Sequence, residues 1–293
     1  MSNRAASERE KAMNDGLRRR IEELAGPATP EYAAAMEAFH ALMEGLNAGT
    51  IRAATRDDDG AWQAHAWVKK GILMGFRLGR VVDFSRSPFA FFDKDTFPPR
   101  NLTADAGVRL VPGGSAIRSG AYVARGVVCM PPMYVNVGAY VDEGTMIDSH
   151  ALVGSCAQIG RRVHLSAAAQ IGGVIEPVGA LPVIVEDDVF VGGGCGLYEG
   201  CLVREGAVLA PGVVLTRATR IYDTVHERVI AADADGVLGV PSRAVVVPGA
   251  RAMTSSFGAS HGLSLYAPVI VKYRDARTDA ATTLESALRG NLN

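Results

Sequence analysis

A few side chains in this sequence have the chemistry to hold a small charged molecule: Arg109, Asp148, His150 and Glu199, with Asp142-Glu143 one hexapeptide before Asp148. A guanidinium clamps a carboxylate through two parallel N–H bonds. A carboxylate can hold an ammonium, orient it and take its proton. Taken alone, the set amounts to a cleft containing carboxylates and an arginine. A competing reading is plain: a lone Asp after an aliphatic is commonly a turn residue, and Glu199 in Tyr198-Glu199-Gly200 also borders a turn. His150 stands where glycine would be less strained, which hints at a retained purpose. For metal, His150 and His164 lie fourteen residues apart, but His226 and His261 fall beyond the repeat, so no metal site is expected. The four cysteines, Cys129, Cys156, Cys195 and Cys201, form no zinc or redox pattern.

The element that must position these groups is a six-residue repeat. From Val111 through Ile117, Val123, Cys129 and on to Ile171, an aliphatic or cysteine falls on every sixth residue. After a two-residue offset the period resumes from Val185 to Ile221. Neither a helical nor an alternating strand pattern does this. The spacing predicts a solenoid, a parallel β-helix with three flat sides per coil, each repeat buried only by its neighbours. Three residues after each inward aliphatic the chain turns, and glycine stands there at 114, 120, 126, 138, 144, 194, 200, 206 and 212. Residues 172–183 leave the pattern as a Gly/Pro-containing loop, the kind of corner insertion that often carries function.

The expected class is mainly β, in three parts: an N-terminal helical domain over 1–106, the β-helix over 107–228, and strands with a closing helix at 280–288 over 229–293. Gly26-Pro27 separates two amphipathic helices, and Thr29-Pro30-Glu31 reads as a helix start. A helix is expected over 61–78, with Lys69-Lys70 on a solvated edge, and 81–106 reads as loop. The open last coil needs a cap, because a bare edge recruits other strands.

Composition excludes several classes. Net charge is −1 and apolar residues are 48% of the 293, so neither disorder nor nucleic acid nor an anionic membrane is indicated. No apolar run has the length of a membrane span, and the polar N-terminus is unlike a secretory signal. Free cysteines fit a reducing cytosol, so a cytoplasmic location is expected. Flat solenoid faces suggest a closed trimer.

One stretch is highly specific: Tyr-Val-Asn-Val-Gly-Ala-Tyr-Val-Asp-Glu-Gly-Thr-Met-Ile-Asp over 134–148, continuing Ser-His-Ala-Leu-Val-Gly-Ser-Cys-Ala-Gln-Ile-Gly to 160. With Val163-His-Leu-Ser166, Ile171-Gly-Gly-Val-Ile-Glu-Pro177 and Thr219-Arg-Ile-Tyr-Asp223, and more weakly Trp67-Val-Lys-Lys70 and Val269-Ile-Val-Lys272, it resembles the tetrahydrodipicolinate N-succinyltransferases over roughly 60–275. The resemblance implies a left-handed β-helix, an exception to the usual right-handed crossover. It also implies a homotrimer with active sites between subunits and succinyl transfer from succinyl-CoA, in lysine and diaminopimelate synthesis, with no permanently bound cofactor. It puts Arg109 on the substrate and Asp148 at its amine, and aligns Glu199, a candidate second acid, with a second family glutamate; His150 is expected as a further substrate contact, and Ser166, Ala168, Gly192 and Arg220 as contacts of acyl-CoA. The 172–183 loop would close over the donor.

The sequence departs from the family at one place that matters. Many members carry Arg-Ser-Glu, with a glutamate regarded as catalytic, where this chain has Gly194-Cys195-Gly196. Ser149-His-Ala151 and Ser166-Ala-Ala-Ala169 are also unusual. Two other readings therefore stay open: a sibling acyltransferase using acetyl-CoA or a related amino acid, and a non-catalytic or zinc-binding trimer of the same fold.

Overall fold

A computed structural model of the chain describes residues 2–26 and 31–275, with side chains from Met13 onward. The Thr29-Pro30 helix start and the closing helix at 280–288 lie outside the described residues.

Three helices, α1 (Ser2–Leu24), α2 (Tyr32–Ala48) and α3 (Ala66–Leu78), share a core of Ile21, Phe39, Leu42, Ile72 and Met74. The α2 helix ends at Gly49, whose left-handed φ of 75° lets its N–H reach the carbonyls of Gly45 and Leu46. Val137 and Cys156, from solenoid corners, belong to the same core. The helical domain is thus packed onto the coil rather than tethered beside it.

The single helix expected over 61–78 is instead a strand, Trp62–Ala64, followed by α3. The strand pairs antiparallel with Ala54–Arg56 across the Asp57-Asp58-Asp59-Gly60 turn, where Asp57 accepts the N–H groups of Asp59 and Ala61. Lys69, expected on a solvated edge, has no exposed surface. Its neighbours on α3 face the helical core, and the solenoid's insertion loop covers the side that periodicity alone would leave to water. The stretch expected as loop contains a hairpin, Val81–Asp83 with Phe92–Lys94.

From Arg109 the chain winds as a left-handed parallel β-helix of three walls. The first wall carries Tyr122–Val123, Tyr140–Val141, Gln158–Ile159, Ile184–Val185, Cys201–Val203 and Leu238–Val240. The second carries Arg109–Leu110, Val128–Cys129, Met146–Ile147, His164–Leu165, Phe190–Val191, Val208–Leu209 and Ala244–Val247. The third carries Ala116–Ile117, Tyr134–Val135, Leu152–Val153, Gln170–Ile171, Gly196–Leu197 and Val214–Leu215. Tyr140 pairs with Gln158, Met146 with His164 and Leu152 with Gln170, so a regular coil takes eighteen residues. Each inward aliphatic is sealed: Val141, Ile147, Val153, Ile159, Leu165 and Ile171 are 0% exposed. Burying one such side chain contributes about 1.5–3 kcal/mol. Where the turn position is not glycine the backbone still takes the left-handed conformation, at His150 (φ 62°), Cys156 (67°), Arg162 (53°), Ala168 (58°) and Asp188 (58°).

Three details differ from the periodicity. The first coil holds one residue more, because Leu110, not Val111, pairs with Cys129; Gly113 and Gly114, both at positive φ, absorb the extra residue at the corner. Ile221 keeps the phase but leaves the coil, in a strand Ile221–Asp223 paired with Arg228–Ile230 and Val269–Tyr273. The coil also outlasts residue 228: Leu238–Val240 and Ala244–Val247 add rungs to the first and second walls. A period in sequence sets which side chains can point inward, but only hydrogen-bond pairing decides which strands stack.

Candidate active site

The turn between the second and third walls repeats at every coil, and its residues form a column along the prism edge. Asp148-Ser149-His150-Ala151, Ser166-Ala167-Ala168-Ala169 and Gly192-Gly193-Gly194-Cys195 occupy successive levels. Backbone bonds tie the levels together: Asp148 N–H to Leu165 O at 2.9 Å, Ala168 N–H to Ser149 O at 2.8 Å, and Gly194 N–H to Ala167 O at 3.0 Å. Asp148, His150, Ser166, Ala168 and Gly192 are therefore brought together on one strip.

Asp148 is half-buried. One carboxylate oxygen accepts the Ser149 N–H at 2.7 Å; the other has no partner among the described residues. His150 is exposed at the left-handed turn. Its carbonyl accepts the Gln170 amide at 3.2 Å, so the backbone at that turn is anchored. Ser166 is half-buried and Ala168 exposed. A side chain at Gly192 would meet the next coil's backbone at 2.6 Å, so only glycine fits there. The N–H groups of Ala167 and Gly193 have no acceptor among the described residues. They are backbone donors one and two levels from Asp148, on the same edge.

Arg109 lies on the outer face of the second wall, at its open end, exposed and with no side-chain partner among the described residues. It stands two rungs from Asp148 and about two residues back along the strand. Standard spacings make that roughly 12 Å between backbone positions, within what an arginine side chain and a short diacid can bridge. Arg220 is exposed just before the Ile221–Asp223 strand, beyond the last level of the strip.

Glu199 is not brought to Asp148 within the chain. It occupies the turn between the third and first walls, two coils further on, with the whole third wall between them. It forms an ion pair with Arg217, at 3.8 Å. The 172–183 insertion emerges at this same turn and packs on the chain's own helical domain. Ile175 joins the helical core, and the buried Lys69 ammonium donates to the Ala180 carbonyl at 2.6 Å. Burial lowers the pKa of Lys69, opposed by the nearby Cys156 and Glu199. The loop is thus tied to the helical domain at Ile175 and Ala180.

The cysteines are buried and unpaired, and burial pushes the thiols of Cys129, Cys156 and Cys201 up to about 12. A thiol held protonated is a poor nucleophile, so the geometry favours direct attack over an acyl-cysteine intermediate. Among the described residues no group of three His, Cys, Asp or Glu is placed to hold a metal ion. No helix among them is long and apolar enough to cross a membrane.

Sequence reasoning did not single out three features of this region. The free N–H groups of Ala167 and Gly193 carry no side-chain signal. Lys69 looked like one of a solvated pair. Tyr198 enters the sequence reading only as the neighbour of Glu199, yet its ring lies over Gly196 and Gly172. A further cluster lies at the C-terminal end. Burial would raise the pKa of Asp223, but bonds from His226, Tyr273 and Arg228 outweigh it and hold the carboxyl well below the usual range. This group ties the Ile221–Asp223 hairpin to the Val269–Tyr273 strand.

Comparison with known proteins places the chain in a family. A family profile described as tetrahydrodipicolinate N-succinyltransferase N-terminal matches residues 17–78, and one described as hexapeptide repeat of succinyl-transferase matches residues 182–217. The 2,3,4,5-tetrahydropyridine-2,6-dicarboxylate N-succinyltransferase of Polynucleobacter asymbioticus is 44% identical over 268 residues, covering 89% of this chain and 93% of its own. Proteins of the same name from Aromatoleum aromaticum and an Azoarcus species are 43% and 44% identical, each covering 96% of this chain and 98% of its own. A solved Campylobacter jejuni structure, described as a putative 2,3,4,5-tetrahydropyridine-2-carboxylate N-succinyltransferase, superposes at TM-score 0.43 with 14% identity, over 84% of this chain and 64% of its own. That superposition is too loose to add to the argument. On the identity and coverage of the curated relatives, the chain belongs to the 2,3,4,5-tetrahydropyridine-2,6-dicarboxylate N-succinyltransferase family.

Proposed function

We propose that this protein transfers the succinyl group of succinyl-CoA to the amine of tetrahydrodipicolinate in its ring-opened form, 2-amino-6-oxopimelate, in lysine and diaminopimelate synthesis. It does so in the cytoplasm and as a homotrimer. The observation that carries the reading is the strip itself: among the described residues, one Asp148 carboxylate oxygen, the N–H groups of Ala167 and Gly193 one and two levels away, and the Arg109 guanidinium all lack partners.

Each part has a task. Arg109 binds one carboxylate of the diacid and fixes its orientation. The substrate's α-amine has a pKa of about 8, so much of it is ammonium at neutral pH. Asp148 holds that ammonium and accepts a proton, leaving a free lone pair. The nitrogen attacks the thioester carbonyl: a C–N bond forms and the carbonyl π pair moves to oxygen. The N–H groups of Ala167 and Gly193 are placed to donate to that oxyanion. On collapse the C–S bond breaks and the thiolate leaves with its electron pair; the Asp148 carboxyl gives the thiolate the proton it holds, takes the one the nitrogen loses, and releases that proton to solvent. Holding amine against thioester supplies much of the acceleration.

The trimer is part of the reading, because the strip is open. Ala167, Ala168 and Gly194 are exposed, and water would compete with every donor there. A second solenoid laid along the edge would close the strip around the thin pantetheine arm. Ser166, Ala168 and Gly192 then line the donor's path, with Arg220 at its far end. Acetyl-CoA remains the second reading on one observation: residues 192–196 offer no cation for an anionic acyl tail.

The test is release of free thiol from succinyl-CoA or acetyl-CoA, with tetrahydrodipicolinate as acceptor. Faster succinyl than acetyl transfer is expected. Absence of turnover with both donors would remove the reading.

A further inference from the structure

Neither Gly172 nor Gly196 lies at positive φ, unlike the turn glycines Gly194 and Gly200. At Gly196 a side chain would meet a ring; at Gly172 it would meet the same ring together with the backbone of Leu197 and Tyr198, at 3.1 and 3.3 Å. A Cβ on Gly196 would sit 2.7 Å from Cε2 of Tyr198 and 3.1 Å from its hydroxyl; one on Gly172 would sit 3.0 Å from Cδ1. Tyr198 therefore lies across the outer face of the third wall, folded back from its own turn so that the phenol reaches Gly196. The residue is 41% exposed, and its hydroxyl has no partner among the described residues. Two glycines kept bare beneath an exposed tyrosine, with the hydroxyl left free, describe a ring held ready for something outside the chain.

Its surroundings narrow what that is. The first outward position on each rung of this wall is Ala116, Tyr134, Leu152, Gln170, Gly196 and Val214, none of them charged; in the column of Tyr198 itself, Arg118 stands four rungs away. The Gln170 amide is engaged by the carbonyls of His150 and Ala168. The phenol is thus the free side-chain donor at this level. Leu152, which follows the Asp148 turn, pairs with Gln170, and Gln170 pairs with Gly196, so the hydroxyl lies two rungs from the Asp148 coil and, within one chain, across the third wall from Asp148. The two rungs alone are about 10 Å. That is too far for the phenol to share the reacting carbonyl with Asp148 of its own chain; what it can meet is the far end of an acyl group held between this wall and a neighbouring subunit.

We propose that Tyr198 reads the acyl donor, its hydroxyl donating a hydrogen bond to the distal carboxylate of the succinyl group. The inference rests on the succinyl-transfer reading and deepens it. A phenol bonded to a carboxylate makes a short, charge-assisted contact, strong enough to shift selectivity about tenfold or more. No covalent change occurs at Tyr198; it selects the donor.

The test compares the full-length protein with Tyr198→Phe and Gly196→Ala. The second variant keeps the hydroxyl but drives the ring off its seat. The quantity read is the preference for succinyl-CoA over acetyl-CoA, taken both as the ratio of kcat/KM and as the ratio of Kd by calorimetry. Both variants are expected to lower that preference about tenfold. An unchanged preference in Tyr198→Phe, whether both donors weaken together or neither does, overturns the proposal. The binding ratio needs no turnover. A wild type that binds succinyl-CoA selectively but releases no thiol would count against the transfer reading and leave the tyrosine contact measured.

Discussion

Two edges of the same prism, built by the same six-residue repeat, have opposite fates. The edge between the second and third walls carries Asp148, Ser166 and Gly192 and is left open. The edge between the third and first walls carries Glu199, and there the insertion loop, α3 and the buried Lys69 pack over the coil before it, while the Glu199 side chain itself stays 44% exposed. Both edges have left-handed turns and both carry a carboxylate. What separates them is the company each carboxylate keeps. Asp148 has N–H neighbours without acceptors among the described residues, whereas Glu199 stands beside a docked loop and 3.8 Å from the exposed Arg217.

Breaking the open edge is expected to have the largest effect. Asp148→Asn should lower kcat by about 10²–10⁴-fold, the usual worth of a positioned base, with the assembly unchanged on gel filtration. Glu199→Gln should change kcat by less than about threefold. If the two variants fall equally, a neighbouring subunit brings the two edges together, and the contrast drawn from one chain fails.

The covered edge should answer in stability. Lys69→Ala removes a buried side chain and the loop's hydrogen bond, an expected loss of roughly 2–4 kcal/mol in denaturant melts. The pH dependence has a definite sign. Burial lowers the pKa of Lys69 in the folded chain, so the unfolded chain binds more protons in the window between the folded value and the unfolded ~10.4. Stability should therefore rise with pH through that window, and Lys69→Met should flatten the rise. An alkaline limb identical in wild type and Lys69→Met would show that the ammonium carries no burial penalty. The smallest effect is expected at the strained turn of the open edge. His150→Gly relieves a φ of 62° but loosens the unfolded chain, so stability should move by less than about 1 kcal/mol. A larger loss would mean that the His150 ring has a structural role.

Much of this was legible beforehand, for local reasons. Every inward position from Ile117 to Ile171 is fully or almost fully buried, because an aliphatic at period six has one way to be sealed by its neighbours. Asp148 and His150 were legible as departures from that period. Lys69 was misread because helical periodicity reports which face is apolar, and says nothing of a loop arriving from more than a hundred residues away. The register of the first coil was hidden for a related reason. Val111 and Leu110 are both aliphatic, and only pairing with Cys129 chooses between them. Tyr198 was overlooked because glycines at 172 and 196 look like loop residues until a ring is seen over them.

By itself, the sequence determined the repeat, the class of fold and the chemistry available on the coil edges, since these follow from which residues recur at which spacing. The tertiary structure decided which edge is open, where the coil ends and which glycines are seats rather than turns. Those are contacts between segments far apart in the chain, and a local pattern carries no information about what will lie on top of it.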